Sequence, residues 1–160
     1  AAQCVLGWIY GKGLGVAKSP SLAFEWRRKA AMQGFALAQC YLGERYSSGL
    51  GVEKNYSLAV EWHCKAAEQG LAESQNSLGV LYANGDGVEQ SNTFAVDWYR
   101  KAAVQGFSHS QNSLGRMYER GLGVTKSNSL AVEWYSKAAI QGCEQAKDRL
   151  EQLLLLPGCS

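Results

Sequence analysis

Residues 71–106 have the sequence LAESQNSLGVLYANGDGVEQSNTFAVDWYRKAAVQG, and they decide the fold because their landmarks return every 36 residues. The landmarks are a Leu-Gly pair, a tyrosine, a Gly-Val pair and a tryptophan. In the quoted stretch they are Leu78-Gly79, Tyr82, Gly87-Val88 and Trp98, and the tryptophan recurs at Trp26, Trp62 and Trp134. Such strict internal periodicity indicates an array of one repeated unit.

Each unit is predicted to fold as two helices. Apolar residues at helical spacing mark one face of each helix. In residues 35–70 they are Ala38, Leu42 and Tyr46 in the first helix, and Ala59, Trp62 and Ala66 in the second. Gly49 and Gly51 permit positive φ in the turn, Asn55 or Ser57 caps the second helix, and Gly70 ends it. A helix pair cannot bury its apolar face alone, so the units are expected to stack.

Two further positions carry packing expectations. Gly43 lies beside Leu42 in the middle of the first helix, where glycine costs about 1 kcal/mol of helix propensity against alanine. We expect this glycine because a neighbouring backbone approaches closely. The recurring tryptophans and tyrosines stand at core spacing, so they are interpreted as packing residues rather than as a surface for stacking nucleotide bases.

The composition narrows the function classes. The chain has 160 residues, of which 46% are hydrophobic, and its formal net charge is +2. This near balance argues against a dedicated nucleic-acid binder, which carries a strongly basic patch. No apolar stretch approaches the ~20 residues that cross a bilayer, so we expect no direct membrane insertion. The chain begins inside a repeat pattern and lacks a recognisable signal peptide, and we expect it to be a fragment or processed form.

The repeat resembles those of the Sel1-like repeat family, which is related to tetratricopeptide repeats. The residues that carry the resemblance are Ser74-Gln75, Leu78-Gly79, Tyr82, Gly85, Gly87-Val88, Ala95, Trp98-Tyr99 and Lys101-Ala102-Ala103. The resemblance implies an all-α fold, a right-handed α-solenoid of stacked antiparallel helix pairs. It also implies a role in adaptor complexes, signalling, quality control or bacterial–host contact, without choosing among them.

The period divides the chain into about four units and a C-terminal cap helix, all in a single array. The expected boundaries are a partial first unit at 1–34, units at 35–70, 71–106 and 107–142, a cap helix at 143–156 and a tail at 157–160. The last helix keeps Ala146 and Leu150 in register but is more polar, as a terminal cap requires. Leu153–Leu156 are expected to close the core, with a partner or dimer contact as the alternative.

The cysteines and histidines do not form a recognisable catalytic or metal-binding motif. The cysteines are Cys4, Cys40, Cys64, Cys143 and Cys159. No CxxC motif occurs, so a zinc site of the common type is not expected, and no cofactor is implied. The cysteines are interpreted as free thiols in a reducing compartment, which favours the cytoplasm while a secreted or periplasmic location stays open. His63 and His109 are expected at the surface, and a thiol hydrolase that pairs one of them with a cysteine is the competing enzymatic hypothesis.

The candidate binding site is a concave groove lined by the first helices, as in the related tetratricopeptide fold. Its expected residues lie one or two positions before each Leu-Gly pair and one position after it, or one turn away. They are Val5, Trp8, Tyr41, Glu44, Asn76, Ser77, Val80, Asn112, Ser113, Arg116 and Arg120. These positions vary between units while the core positions do not.

The groove predicts a class of partner. Asn76 and Asn112 are equivalent, and their amides offer donors and acceptors to a peptide backbone, although simple solvation explains them equally well. Apolar residues at one end and arginines at the other predict a ligand with an apolar anchor and an acidic or carboxylate end. The sequence therefore favours a non-enzymatic scaffold or adaptor that binds a peptide or protein segment. The alternative is an oligomerising segment of a larger signalling or quality-control protein, associating through its terminal helices.

Overall fold

The computed structural model describes residues 2–155, and in that range it contains helices and turns but no strand. The prediction of an all-α fold is confirmed. The helices run in pairs of nearly equal length, as two helices per 36-residue repeat require. Their bounds are Ala2–Lys12 (α1), Pro20–Met32 (α2), Ala36–Ser48 (α3), Tyr56–Glu68 (α4), Ala72–Asn84 (α5), Asn92–Val104 (α6), Ser108–Arg120 (α7), Asn128–Ile140 (α8) and Glu144–Leu154 (α9).

The chain forms two compact units, one up to Ser74 and one from Gln75 onward. In the first unit α2 packs against both α1 and α3, and α3 packs against α4. A core of Ala30, Ala31, Ala38 and Leu42 joins α2 to α3. In the second unit α7 packs between α6 and α8, and α8 also packs against α9. Each unit therefore buries its apolar faces between successive helices, as expected for stacked repeats.

The helix ends follow the capping residues of the sequence. The side chain of Asn55 accepts a hydrogen bond from the backbone N–H of Leu58 at 3.0 Å, so Asn55 rather than Ser57 caps α4. Serines cap the other second helices in the same way, at Ser19, Ser91 and Ser127. The turn glycines Gly49 and Gly51 have φ of +73° and +80°, and Gly70 follows α4 with φ of +89°. These turn and end predictions are confirmed.

The helical glycines Gly43, Gly79 and Gly115 each accommodate a ring, not the backbone approach that we expected for Gly43. A Cβ added at Gly43 would lie 2.6 Å from Nε2 of His63. In the second unit, a Cβ at Gly79 would lie 2.5 Å from the ring of Tyr99. The second helix thus inserts an imidazole or aromatic ring where the first helix lacks a Cβ.

The recurring tryptophans are half-buried rather than fully within the core. A lysine three residues later lies over each ring, with Lys65 Nζ 4.4 Å from the ring centroid of Trp62 and Lys101 Nζ 4.0 Å from that of Trp98. In the second, third and fourth repeats the residue after the tryptophan is buried, because its ring faces the helical glycine. In the first repeat this residue is Arg27, which is half-buried.

The helix α9 lies within the range predicted for the cap helix, but the leucines at its end differ in burial. Ala146 and Leu153 are buried against α8. Leu154 and Leu155 are exposed, Leu155 by 83%, so the expectation that Leu153–Leu156 close the core is wrong for these two residues. A helical face buries residues three or four apart, not adjacent ones. Leu156 and the 157–160 tail, with Cys159, lie outside the described residues.

Candidate functional site

In the second unit, the first helices α5, α7 and α9 are joined by polar side chains of the predicted groove. Ser110 Oγ donates a hydrogen bond to Oδ1 of Asn76 at 2.8 Å. Asn112 Nδ2 donates to Oε1 of Gln145 at 3.3 Å. The two equivalent asparagines thus connect each first helix to the next one. Some of the amide groups that the sequence predicted to bind a peptide are therefore hydrogen-bonded to other residues of the chain.

The exposed part of this face is formed by three of the predicted residues. Val80 on α5 is 41% exposed, and Arg116 and Arg120 on α7 are exposed as well. Ser77 on α5 and Ser113 on α7 are half-buried. The face of the second unit therefore combines an exposed apolar side chain and two exposed arginines with two half-buried serines.

In the first unit the predicted residues divide between α1 and α3. Val5 and Trp8 on α1 are about half exposed, Trp8 by 51%. Glu44 on α3 is exposed, and Tyr41 on the same helix is half-buried.

Two guanidinium groups lie against the ring of Tyr41, and neither arginine is among the predicted groove residues. Arg27 Cζ is 4.1 Å from the ring centroid and Arg45 Cζ is 4.7 Å from it. A signal for both arginines exists in the repeat register. Arg27 stands where the third repeat has Tyr99, and Arg45 stands where the fourth repeat has Met117.

A recurring glutamine pair, also missed at the sequence level, fixes the first helices against the second ones. Gln69 Nε2 donates to Oε1 of the buried Gln39 at 2.8 Å, and Gln39 Nε2 donates to the carbonyl oxygen of Ala31 at 3.2 Å. In the second unit Gln105 donates in the same way to Gln75. The 36-residue spacing of these glutamines was visible in the sequence, but polar residues at helix ends did not suggest burial.

One of the two histidines predicted at the surface, His63, is buried. His63 is 1% exposed, because Gly43 leaves room for its ring, and its Nδ1 lies 3.3 Å from Ser74 Oγ. Burial lowers the pKa of His63 to about 4. Cys40 is also buried, and burial raises the pKa of its thiol. An activated nucleophile needs a lowered thiol pKa and an accessible base, and this cluster has neither.

The remaining candidates for chemistry are dispersed. His109 is exposed, and its ring lies 5.6 Å from that of Phe107. Cys4, Cys40, Cys64 and Cys143 are free thiols. Between residues 2 and 155, no group of three or more His, Cys, Asp and Glu side chains is placed to hold a metal ion. Over the same range no helix has the length and apolar character needed to span a bilayer.

A comparison with models of known protein families identifies the repeat. The Sel1 repeat model matches residues 1–35, 36–71, 72–107 and 108–143. The chain belongs to the Sel1-repeat family. Sel1-repeat proteins are generally protein–protein interaction scaffolds without catalytic activity. The resemblance identified from the sequence is confirmed.

Solved structures of other Sel1-type proteins are similar to this chain. A protective antigen of uropathogenic Escherichia coli strains that displays an SLR fold is 43% identical, with a TM-score of 0.91 over 95% of this chain and 32% of that one. A Sel1 repeat protein from Oxalobacter formigenes is 40% identical, with a TM-score of 0.87 over 94% of this chain and 62% of that one. Cysteine-rich protein B of Helicobacter pylori is 29% identical, with a TM-score of 0.63 over 76% of this chain and 93% of that one.

This Sel1-repeat chain spans about a third of the E. coli antigen and less than two thirds of the Oxalobacter protein. No match was found among curated proteins.

Proposed function

We propose that this Sel1-repeat chain is a non-catalytic scaffold that binds a protein segment on the exposed face of the first helices in its second unit. One register position carries the proposal. Trp8, Glu44, Val80 and Arg116 are equivalent residues of successive repeats, and all four are exposed. The preceding Leu-Gly pair is the same in every repeat. An exposed position that is apolar in two repeats, acidic in one and basic in another, on a constant framework, is suited to recognition rather than to packing.

The second unit supports an acidic or carboxylate-bearing partner. Arg116 and Arg120 project from one helix face, and Val80 on the neighbouring first helix supplies an apolar contact. Arginine binds carboxylates through two parallel hydrogen bonds, and arginine is one of the residues enriched in interaction hot spots. The net charge of +2 is too small to favour a nucleic acid in place of a protein segment.

The test is capture of a partner by the wild-type chain and by two matched variants. V80N/R116Q removes the apolar contact and one charge from the first-helix face. V104N/K126Q makes the same kinds of change at exposed residues of α6 and of the turn before α8. A protein captured by the wild-type chain is identified, and its affinity for each variant is then measured. We expect the first variant to lose about tenfold or more in affinity and the second to bind as wild type does.

Equal affinity of V80N/R116Q and the wild-type chain would contradict the proposed face. Both Val80 and Arg116 are exposed, so helical circular dichroism is expected to stay unchanged in both variants. A loss of helicity would be detected before binding is compared.

Self-association is the alternative function that the structure gives a reason to test. Leu154 and Leu155 are exposed at the end of α9, and Val5 and Trp8 are exposed on α1. Adjacent exposed apolar side chains favour contact with another surface. Light scattering over a dilution series measures the mass directly. An oligomerising segment would be favoured if the mass of the wild-type protein falls to that of one chain on dilution. The variant L154S/L155S would then have the mass of one chain at every concentration.

A further inference from the structure

The first unit contains a cavity lined mainly by positive charges, and the proposed function does not depend on it. It has a volume of about 860 Å³ and lies between the end of α1, the first half of α2 and the second half of α3. Its charged lining residues are Lys12, Lys18, Arg27, Arg45 and Glu25. Four cations therefore face the cavity against one carboxylate.

Two of these cations are held in a fixed arrangement. Arg27 and Arg45 stack on the ring of Tyr41, at 4.1 and 4.7 Å from its centroid. In residues 2–155, neither arginine has a carboxylate within ion-pair distance. A guanidinium that stacks on an aromatic ring keeps its N–H donors in its own plane, so these donors remain able to bind an anion. A bound anion would also relieve the repulsion between the two like charges.

The equivalent region of the second unit is filled, which shows that the repeat does not require this cavity. Tyr99 and Met117, the counterparts of Arg27 and Arg45, are both buried in its core. Gly123 lies so close to the backbone of Asn92 that an added Cβ would clash. Its counterpart Gly51 has no atom within 4 Å of an added Cβ. The first unit has replaced a closed apolar junction with an open one that carries guanidinium groups.

We propose that this cavity binds the side-chain carboxylates of an acidic peptide segment. The inference rests on the proposed function in that the ligand is a protein segment. Planar guanidinium groups bind carboxylates through paired hydrogen bonds, and Phe24 and Leu50 in the lining supply apolar contact for the carbon atoms of such a segment. A volume of about 860 Å³ exceeds that of one small anion and suits several side chains.

The experiment uses defined probes and nuclear magnetic resonance of the whole chain labelled with ¹⁵N. The acidic probe is a peptide Glu-Glu-Phe-Glu-Glu with both termini blocked, and its matched control is Gln-Gln-Phe-Gln-Gln. We expect the acidic peptide alone to shift the arginine Nε–Hε signals of Arg27 and Arg45 in a saturable titration. R27Q/R45Q is expected to weaken binding by about tenfold or more. R28Q/K126Q removes the same charge at exposed positions and is expected to bind as wild type does.

Each other outcome overturns the proposal. Titrations that do not saturate, or equal binding by R27Q/R45Q, would remove the assigned site. Inorganic phosphate that binds as tightly as the acidic peptide at equal ionic strength would make it a general anion site. An unblocked Ala-Ala-Ala-Ala peptide that binds as tightly as the acidic probe would assign it to a chain terminus instead.

Two controls separate this result from folding and from the proposed function. If R27Q/R45Q loses helicity, the charge-preserving R27K/R45K tests the same claim, because lysine lacks the planar fork. A several-fold loss of affinity is expected from R27K/R45K, and unchanged affinity would overturn the proposal. In the same titration of the wild-type chain, saturation of the Arg27 and Arg45 signals reports binding in the cavity, and the Arg116 Nε–Hε signal reports binding on the first-helix face. Failure of the cavity and failure of the first-helix face therefore give different results.

Discussion

H63Y is expected to make the chain more resistant to acid than wild type by roughly 3 kcal/mol of unfolding free energy between pH 7 and pH 4. His63 is buried and hydrogen-bonded to Ser74, and burial lowers its pKa to about 4 in the folded chain from the ordinary histidine value of 6.5. The unfolded state therefore binds the extra proton as the pH falls below 6.5. Stability is lost progressively from there to about pH 4, and full stability is present above pH 6.5.

Tyrosine is the appropriate replacement because the next two repeats carry it in the same place. Tyr99 and Tyr135 face Gly79 and Gly115 as His63 faces Gly43. The measurement is urea unfolding of both proteins at pH 7 and at pH 4. Carboxylates titrate in both proteins, so their contribution cancels in the difference. An equal loss of stability in the two proteins would show that His63 is protonated in the folded chain and would contradict its burial.

G79A is expected to destabilise the second unit by about 1–3 kcal/mol, despite the higher helix propensity of alanine. The new Cβ would stand 2.5 Å from Cδ1 and Cε1 of Tyr99. Tyr99 is 1% exposed and sits in a core with Leu114 and Met117, so its ring has no free space to enter. The midpoint temperature of thermal unfolding should fall by about 2–4 °C for each kcal/mol of stability lost.

G11A is the matched control for this substitution. Gly11 is also helical, but a Cβ there would lie 3.6 Å from Cβ of Ala23 and from Nη2 of Arg27, which is ordinary contact. We expect G11A to be neutral or to stabilise by up to about 1 kcal/mol. A G79A chain that unfolds at the same temperature as G11A would show that the helical glycine is not a receptor for the ring.

The helices, their caps and their turns were predictable because each depends on local chemistry that recurs in every repeat. Asn55 caps α4 and Gly70 ends it through backbone groups a few residues away. The framework of the first helices was predictable for the same reason, since the 36-residue period fixes which residues are equivalent. Four occurrences of one pattern in a single chain gave the repeat its reliability.

The burial of particular polar side chains was not predictable. His63 was expected at the surface because histidine is usually exposed, and its burial depends on the missing Cβ of Gly43 in another helix. The pairing of Tyr41 with Arg27 and Arg45 depends on residues from two helices. The repeat register marks these positions as unusual, but only side-chain placement shows what they contact.

The central claim is that the first-helix face is the binding surface, and site-specific photocrosslinking tests it most directly. A benzophenone amino acid is placed at Arg116 on α7 and, in a matched chain, at Val104 on α6, since both positions are exposed. The partner captured by the wild-type chain is then irradiated with each. A covalent adduct is expected from position 116 and none from position 104. An adduct from position 104 alone would place the partner on the second helices and contradict the proposed binding surface.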